Sequence, residues 1–267
     1  MAETPRRAAT TAYPTETYPT EQTAGRRHDD RDEHEVWESR TRVVLSPIAA
    51  PSILGLFGFA GATMMVGAWQ AGWYGDANTA LLLFPFAALF GGVAQFAAGI
   101  WSYRARDGLA TAVHCTWGSF WMAFGLLFGM VAAKVIPAQL VPHFGTANPA
   151  FGFWFVVLAV VTGCAAIASL GESLGIFTVL GPLALGSALS AAGWMSGVDW
   201  LFTAGGYAFT FAALAAVYVA TAMMLEGTMG RTILPLGKYH KSANVPGRQF
   251  THPLEYAHGQ PGVKMGQ

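Results

Sequence analysis

Between Arg42 and Glu226 the chain carries seven charged side chains: Asp76, Arg104, Arg106, Asp107, Lys134, Glu172 and Asp199. They fall so as to leave six apolar stretches, each long enough to cross a bilayer as a helix, which takes ~20 residues. The spans are expected at about Ile53 to Tyr74, Thr79 to Ser102, Leu109 to Ala133, Phe151 to Leu170, Leu174 to Met195 and Trp200 to Leu225. The runs are continuous rather than alternating, and a helix satisfies its own backbone hydrogen bonds in lipid. An all-α membrane protein, a bundle of six transmembrane helices, is therefore expected.

Composition supports this and removes other classes. Only 11% of residues are charged, well short of the ~25% of a soluble domain. The 15 Lys and Arg residues balance the 15 Asp and Glu residues, so no basic field exists to gather nucleic acid. Residues 1–45 are rich in Thr, Pro, Glu, Arg and Asp and are expected as a disordered tail, residues 46–230 as the membrane domain, and residues 231–267 as a second, exposed tail. Arg6 and Arg7 look like the start of a twin-arginine or secretory signal, but no apolar run follows until about Ile53, so cleavage is not expected. Cys115 and Cys164 both fall inside spans and are expected as small packing groups rather than a disulfide.

Orientation follows from where the cations lie. An even number of spans puts both ends on one side, and Arg40, Arg42, Arg104, Arg106, Arg231, Lys238 and Lys241 all fall there, against Lys134 alone on the other. Positive charge stays in the cytoplasm, so both termini are expected inside a cell membrane. Trp69, Trp73, Tyr74, Trp101, Tyr103, Trp154, Trp194 and Trp200 lie near span ends, where aromatic rings occupy the headgroup region.

Several patterns imitate catalytic or cofactor sites. Gly171-Glu172-Ser173-Leu174-Gly175 has the spacing of a nucleophile elbow, but that serine needs a strand-to-helix turn, whereas apolar helices flank this one; Ser173 is expected as a helix cap. His34-Glu35 lacks the second histidine of a zinc-protease helix, because position 38 is Glu. Asn148-Pro149-Ala150 looks like half of the paired element of water channels, but only one copy exists, and N-cap asparagine followed by first-turn proline accounts for it. His114 is the sole histidine inside a span, so one protomer cannot supply two axial haem ligands. No intramembrane lysine is present for a retinal-type Schiff base, since Lys134 sits at a span end. No catalytic residue, metal or cofactor is expected.

What remains is small and polar residues on apolar helices. Gly55, Gly58 and Gly61 recur every three residues, and Gly91, Gln95 and Gly99 every four, giving faces smooth enough for close helix packing. The glycine-rich surface exceeds what one bundle is expected to use, so part of it is expected to meet sister protomers. Gln95 stands apart, because an amide in hydrocarbon is costly unless partnered or wet. No charge lies mid-span, so a path lined by Gln95, Thr63, His114, Ser119 and aromatics suits a small solute that crosses protonated or by dispersed hydrogen bonds. His114 itself is expected as a packed hydrogen-bonding residue rather than a proton relay.

Three separated motifs carry a resemblance. Gly91-Gly92-Val93-Ala94-Gln95-Phe96-Ala97-Ala98-Gly99, then Gly118-Ser119-Phe120-Trp121, and Gly230-Arg231-Thr232-Ile233-Leu234-Pro235-Leu236-Gly237 after the last span resemble the acetate uptake transporter family, which includes bacterial acetate and succinate importers and fungal acetate/ammonium-linked members. The likeness covers about residues 50–240. It implies a homohexamer in which each protomer has its own path for acetate or a related short carboxylate, succinate in some members. The family's hydrophobic constriction of Phe, Tyr and Leu maps to Phe59, Trp117 and Leu183, with tryptophan in place of tyrosine. A larger ring at that place implies a narrower or differently selective gate. The family's first-span signature, Asn-Pro-Ala-Pro-Leu-Gly-Leu, is here Ala50-Pro51-Ser52-Ile53-Leu54-Gly55-Leu56, which lacks the asparagine and the second proline.

The reading is a membrane transporter or channel-like carrier for acetate and related short-chain carboxylates, proton-linked through the solute itself, and not an enzyme. Its expected partners are the carboxylate, the bilayer and further copies of the chain. A carrier of ammonium or another small neutral solute and a non-transporting structural or sensory membrane protein are the alternatives.

Overall fold

The computed structural model describes residues 48–105 and 107–238. The expected N-terminal tail, its His34-Glu35 and Arg6-Arg7 patterns, and the chain beyond residue 238 lie outside the described residues. Six helices are long and apolar enough to cross a membrane: α1 Pro51–Gln70, α2 Thr79–Arg104, α3 Gly108–Ala132, α4 Pro149–Ser169, α5 Leu174–Ser196 and α6 Asp199–Met229. The protein is a multi-pass membrane protein.

Four of the six helices begin where the sequence supplies a cap or a first-turn proline. Pro51 takes the first turn of α1, where its missing N–H is no loss. The Asp107 carboxylate accepts from Ala110 N at 2.9 Å, the Asn148 side chain from Phe151 N at 3.1 Å, and Ser173 Oγ from Ile176 N at 3.3 Å. The asparagine-proline pair and the serine of the nucleophile-like motif are thus both engaged as caps. Helices α5 and α6 end at Gly197 and Gly230, with φ of 73° and 63°, in the left-handed conformation glycine adopts without strain.

Two span limits differ by more than two residues from those expected. Helix α1 stops at Gln70 rather than Tyr74, where the chain turns through Gly72 at φ 77°. Helix α6 continues past Leu225 to Met229, because the carboxylate of Glu226 is met by Lys238 at 3.1 Å and no longer marks the end of the span. Helix α2 is irregular: after Pro85, residues Ala87–Ala94 form a π-helical segment before regular winding resumes at Gln95. Proline removes one hydrogen bond from the ladder, and wider turns of this kind re-aim the rest of the helix.

The helices form a closed ring. Helix α1 packs between α6 and α2, α2 lies on α3, α3 meets α4, and α4, α5 and α6 follow in sequence. Glycine makes the α2–α3 contact possible: a Cβ at Gly118 would lie 2.8 Å from both N and Cβ of Phe96. The other expected stripes also face inward, with Gly58 under the Phe90 carbonyl, Gly55 under the His114 ring and Gly99 against Cys115. The glycines of these stripes are thus used inside the protomer, whereas a Cβ at Gly163 or Gly227 would meet nothing within 4 Å. The outward face carries large apolar side chains instead, among them Leu82, Phe86, Leu89 and Val93 on α2 and Phe153, Val157 and Val160 on α4.

Three further expectations are corrected. Trp194 is buried, in edge-on contact with Phe151 and Phe202 at centroid separations of 5.1 and 4.7 Å, so it belongs to an internal aromatic cluster rather than to the interfacial belt. Cys164 faces outward, so it is no packing group inside the protomer. Residues 231–238 are not an exposed tail but a strap across the face where the chain enters α1 and leaves α6. Tyr218 Oη donates to the Pro235 carbonyl at 2.8 Å, Gly175 N donates to the Leu236 carbonyl at 2.8 Å, and Leu236 and Thr232 are buried. The capacity of this stretch to pair with α5 was invisible in its composition.

Candidate functional site

The ring encloses a column of side chains that can be followed along α1 and α3 by helical register. At the terminal face, where the chain enters α1 and leaves α6, Leu56, Val113 and His114 line a cavity of about 80 Å³, together with Ser52, Asp107 and Glu172. One turn deeper along these helices lie Phe59 and Trp117, and Leu183 follows Val179 and Leu180 by one turn of α5; each is no more than 2% exposed. The rings of Phe59 and Trp117 meet edge-on, with centroids 6.1 Å apart at 76°. Trp117 also touches Phe120 and Phe209 edge-on, at 5.4 and 6.3 Å, so the indole is the hub of this layer. Its Nε1 donates to Thr162 Oγ1 of α4 at 3.0 Å.

Beyond the closed layer is a chamber of about 20 Å³ bordered by Thr63, Gln70, Trp117, Trp121, Phe155 and Phe209. It leads toward a cavity of about 30 Å³ near the opposite face, bordered by Gln70, Phe124, Phe144 and Trp194. For scale, one water-sized group occupies roughly 10–15 Å³ measured in this way. The chamber holds about one such group and the outer cavity about two.

The polar groups of the column are few and uncharged past its mouth. Gln70 Nε2 donates to Ser190 Oγ at 2.8 Å and to the Phe202 carbonyl at 3.0 Å, linking α1 with α5 and α6. Thr63 Oγ1 and Trp121 Nε1, both bordering the central chamber, have no partner among the described residues. His114 Nδ1 is likewise unpartnered. A buried polar group left without a hydrogen bond costs about 1–3 kcal/mol, so such groups gather where something passes or binds.

Of the seven candidate path residues, Phe59 and Trp117 meet edge-on, Thr63 borders the central chamber with Trp117, His114 borders the terminal cavity, and Leu183 is buried. Gln95 is fully buried with neither amide atom partnered, but it lies at the α1–α2 contact beside Gly58 and borders none of the three cavities described. Ser119 is corrected: it is exposed on the outer face of α3, two residues from Trp117 and so on the other side of the helix. Sequence reasoning missed Gln70. An amide next to Trp69 at a span end looks interfacial, and only the packing of α5 and α6 over it makes it internal.

Catalytic and metal readings gain nothing. Ser173 Oγ is occupied as a cap, and among the described residues no group of three His, Cys, Asp or Glu side chains could hold a metal ion.

Comparison with known proteins agrees with this arrangement. The profile of the GPR1/FUN34/yaaH family matches residues 38–237. An uncharacterized protein of Methanothermobacter thermautotrophicus is 30% identical over 196 residues, covering 73% of this chain and 95% of that one. The succinate-acetate/proton symporter SatP of Escherichia coli K12 is 25% identical over 195 residues, 72% of this chain and 97% of its own. The solved structure of the bacterial acetate channel SatP superposes with a TM-score of 0.63 over 72% of this chain and all of that one, at 23% identity.

Proposed function

Because the chain belongs to the GPR1/FUN34/yaaH family, we propose that it carries acetate and related short-chain carboxylates across the membrane, through the interior of each protomer. The observation that carries this reading is the stacking of two cavities and a chamber on either side of one closed apolar layer, Phe59, Trp117 and Leu183. Such a layer resists wetting and passes a solute only when its rings give way. The relatives named for acetate and succinate transport support the substrate class.

Gln95, Thr63 and His114 are the polar contacts of the path in this reading, with Gln95 reached when α1 and α2 part. Apart from the titratable groups at the terminal mouth, no charged group among the described residues borders the column. The solute itself, moving as the acid or as anion with a proton, then accounts for proton linkage. The cation distribution supports cytoplasmic termini and a plasma or inner membrane as the location. The exposed apolar stripe of α2 supplies a surface for assembly with further copies, a homohexamer being the form the family implies.

The test is uptake of labelled acetate into proteoliposomes, with and without a pH gradient, with propionate, succinate and ammonium as competitors. Saturable uptake raised by an inward proton gradient and blocked by propionate is the expected result. Uptake blocked by ammonium alone would make the protein a carrier of that solute. No flux of any of them would leave a structural or sensory role.

A further inference from the structure

We propose that the cavity at the terminal face is a binding subsite for a neutral, protonated short monocarboxylic acid, with the His114 imidazole as its polar anchor. The inference deepens the transport reading and rests on it for the substrate class. Four observations carry it.

His114 is 4% exposed, borders the cavity, and has no hydrogen bond to any described residue. The tautomer of a neutral imidazole is normally set by the bond that one ring nitrogen makes; here no described residue sets it. The ring can therefore present an N–H or a bare nitrogen. A carboxylic acid offers the complementary pair, an O–H donor and a carbonyl acceptor.

The position of the ring is imposed by its neighbours. Gly55 of α1 lies against it so closely that a Cβ there would sit 2.5–2.6 Å from Cε1, Nδ1 and Nε2. A glycine at that place in α1 is what leaves room for an imidazole between the two helices.

The wall suits an alkyl chain and not an anion. Leu56, Val113, Val179 and Leu180 surround the space, and no Lys or Arg borders it among the described residues. A carboxylate taken from water needs a cationic or multiply donating partner, whereas the neutral acid needs one or two hydrogen bonds. The titratable groups facing His114 are Asp107, at the start of α3, and Glu172, from the α4–α5 connection; α1, α5 and α6 present Ser52, Ile176 and Met223, none of which titrates.

The volume sets the chain length. About 80 Å³, at roughly 10–15 Å³ for each water-sized group, admits on the order of five to eight such groups. Acetic to butyric acid fit within that capacity, while succinic acid reaches its limit and brings a second carboxyl group.

The experiment measures binding apart from transport. Purified full-length protein in detergent is titrated with butyrate and acetate by saturation-transfer NMR, near the pKa of the acid and well above it, with methylammonium as a competing probe. Occupancy should follow the protonated fraction, and His114→Phe should weaken it about three- to tenfold, the loss of one hydrogen bond. Met223→Phe, which narrows the cavity without touching His114, should reject butyrate while keeping acetate, and it decides the matter where the histidine variant fails to fold. Binding unchanged in both variants, absent in wild type, strengthened at high pH or displaced by methylammonium overturns the subsite. Flux in wild type alongside unchanged binding in both variants removes the subsite and leaves the transport reading. His114-dependent binding without flux does the reverse.

Discussion

The indole N–H of Trp117 donates to the hydroxyl of Thr162 at 3.0 Å, joining α3 to α4 inside the closed layer. These two helices otherwise touch little, so the bond holds the Trp117 ring in place at the seam where the ring of helices is least tightly packed. Both partners are buried, Thr162 at 1% and Trp117 at 2% exposure.

Thr162→Val keeps the shape of the side chain and leaves the indole N–H without its acceptor. The cost is that of one orphaned buried donor, about 1–3 kcal/mol. The freed ring should raise background leak of acetate in proteoliposomes. Leak equal to wild type would show that packing alone holds Trp117.

Trp117→Ala removes the hub of the aromatic layer. Truncation of this size costs about 3–5 kcal/mol in a packed core, so apparent melting in detergent should fall. In the protein that remains folded, leak should rise and larger carboxylates should be accepted. Lower stability with unchanged selectivity would remove Trp117 from the path and leave it a packing residue.

Gln95→Leu should separate function from stability. Both amide atoms are buried without partners, and replacing an unsatisfied polar group by an isosteric apolar one is neutral or stabilising. The variant should melt no lower than wild type, keep its oligomer by native mass spectrometry, and take up less acetate. Loss of the oligomer with active protomers would instead place Gln95 in a subunit contact.

Gly118→Ala puts a methyl group 2.8 Å from the backbone nitrogen of Phe96. Backbone cannot move aside as a side chain can, so α2 and α3 should part locally, at about 1–3 kcal/mol. Ser119→Ala, one residue on and facing outward, is the control and should change neither melting nor uptake by a protomer. A silent Gly118→Ala would mean that the two helices are less closely packed than the structure has them.

Lys238→Met should loosen the strap over the terminal face. The pair with Glu226 is partly exposed, the two side chains at 33% and 12%, so its loss costs about 1 kcal/mol or less. The expected readout is faster tryptic cleavage at Arg231 with little change in melting. An unaltered cleavage rate would mean that the backbone bonds from Leu174 and Gly175 hold the strap alone.

The number of spans and four of the helix starts were legible in the sequence, because lipid imposes length and backbone satisfaction on each segment independently. Charges at Asp107 and Glu172, the Asn148-Pro149 pair and Ser173 are local signals, read without knowing the neighbours. Phe59, Trp117 and Leu183 came from family register; all three are buried, and the first two meet edge-on. Which face of each helix turns inward is another matter. In a membrane both faces are apolar, so hydrophobic pattern does not distinguish them. Tertiary packing alone decided that Ser119 and Cys164 face outward, that Trp194 and Gln70 face inward, that the glycines are used within the protomer, and that residues 231–238 close the terminal face rather than leave it.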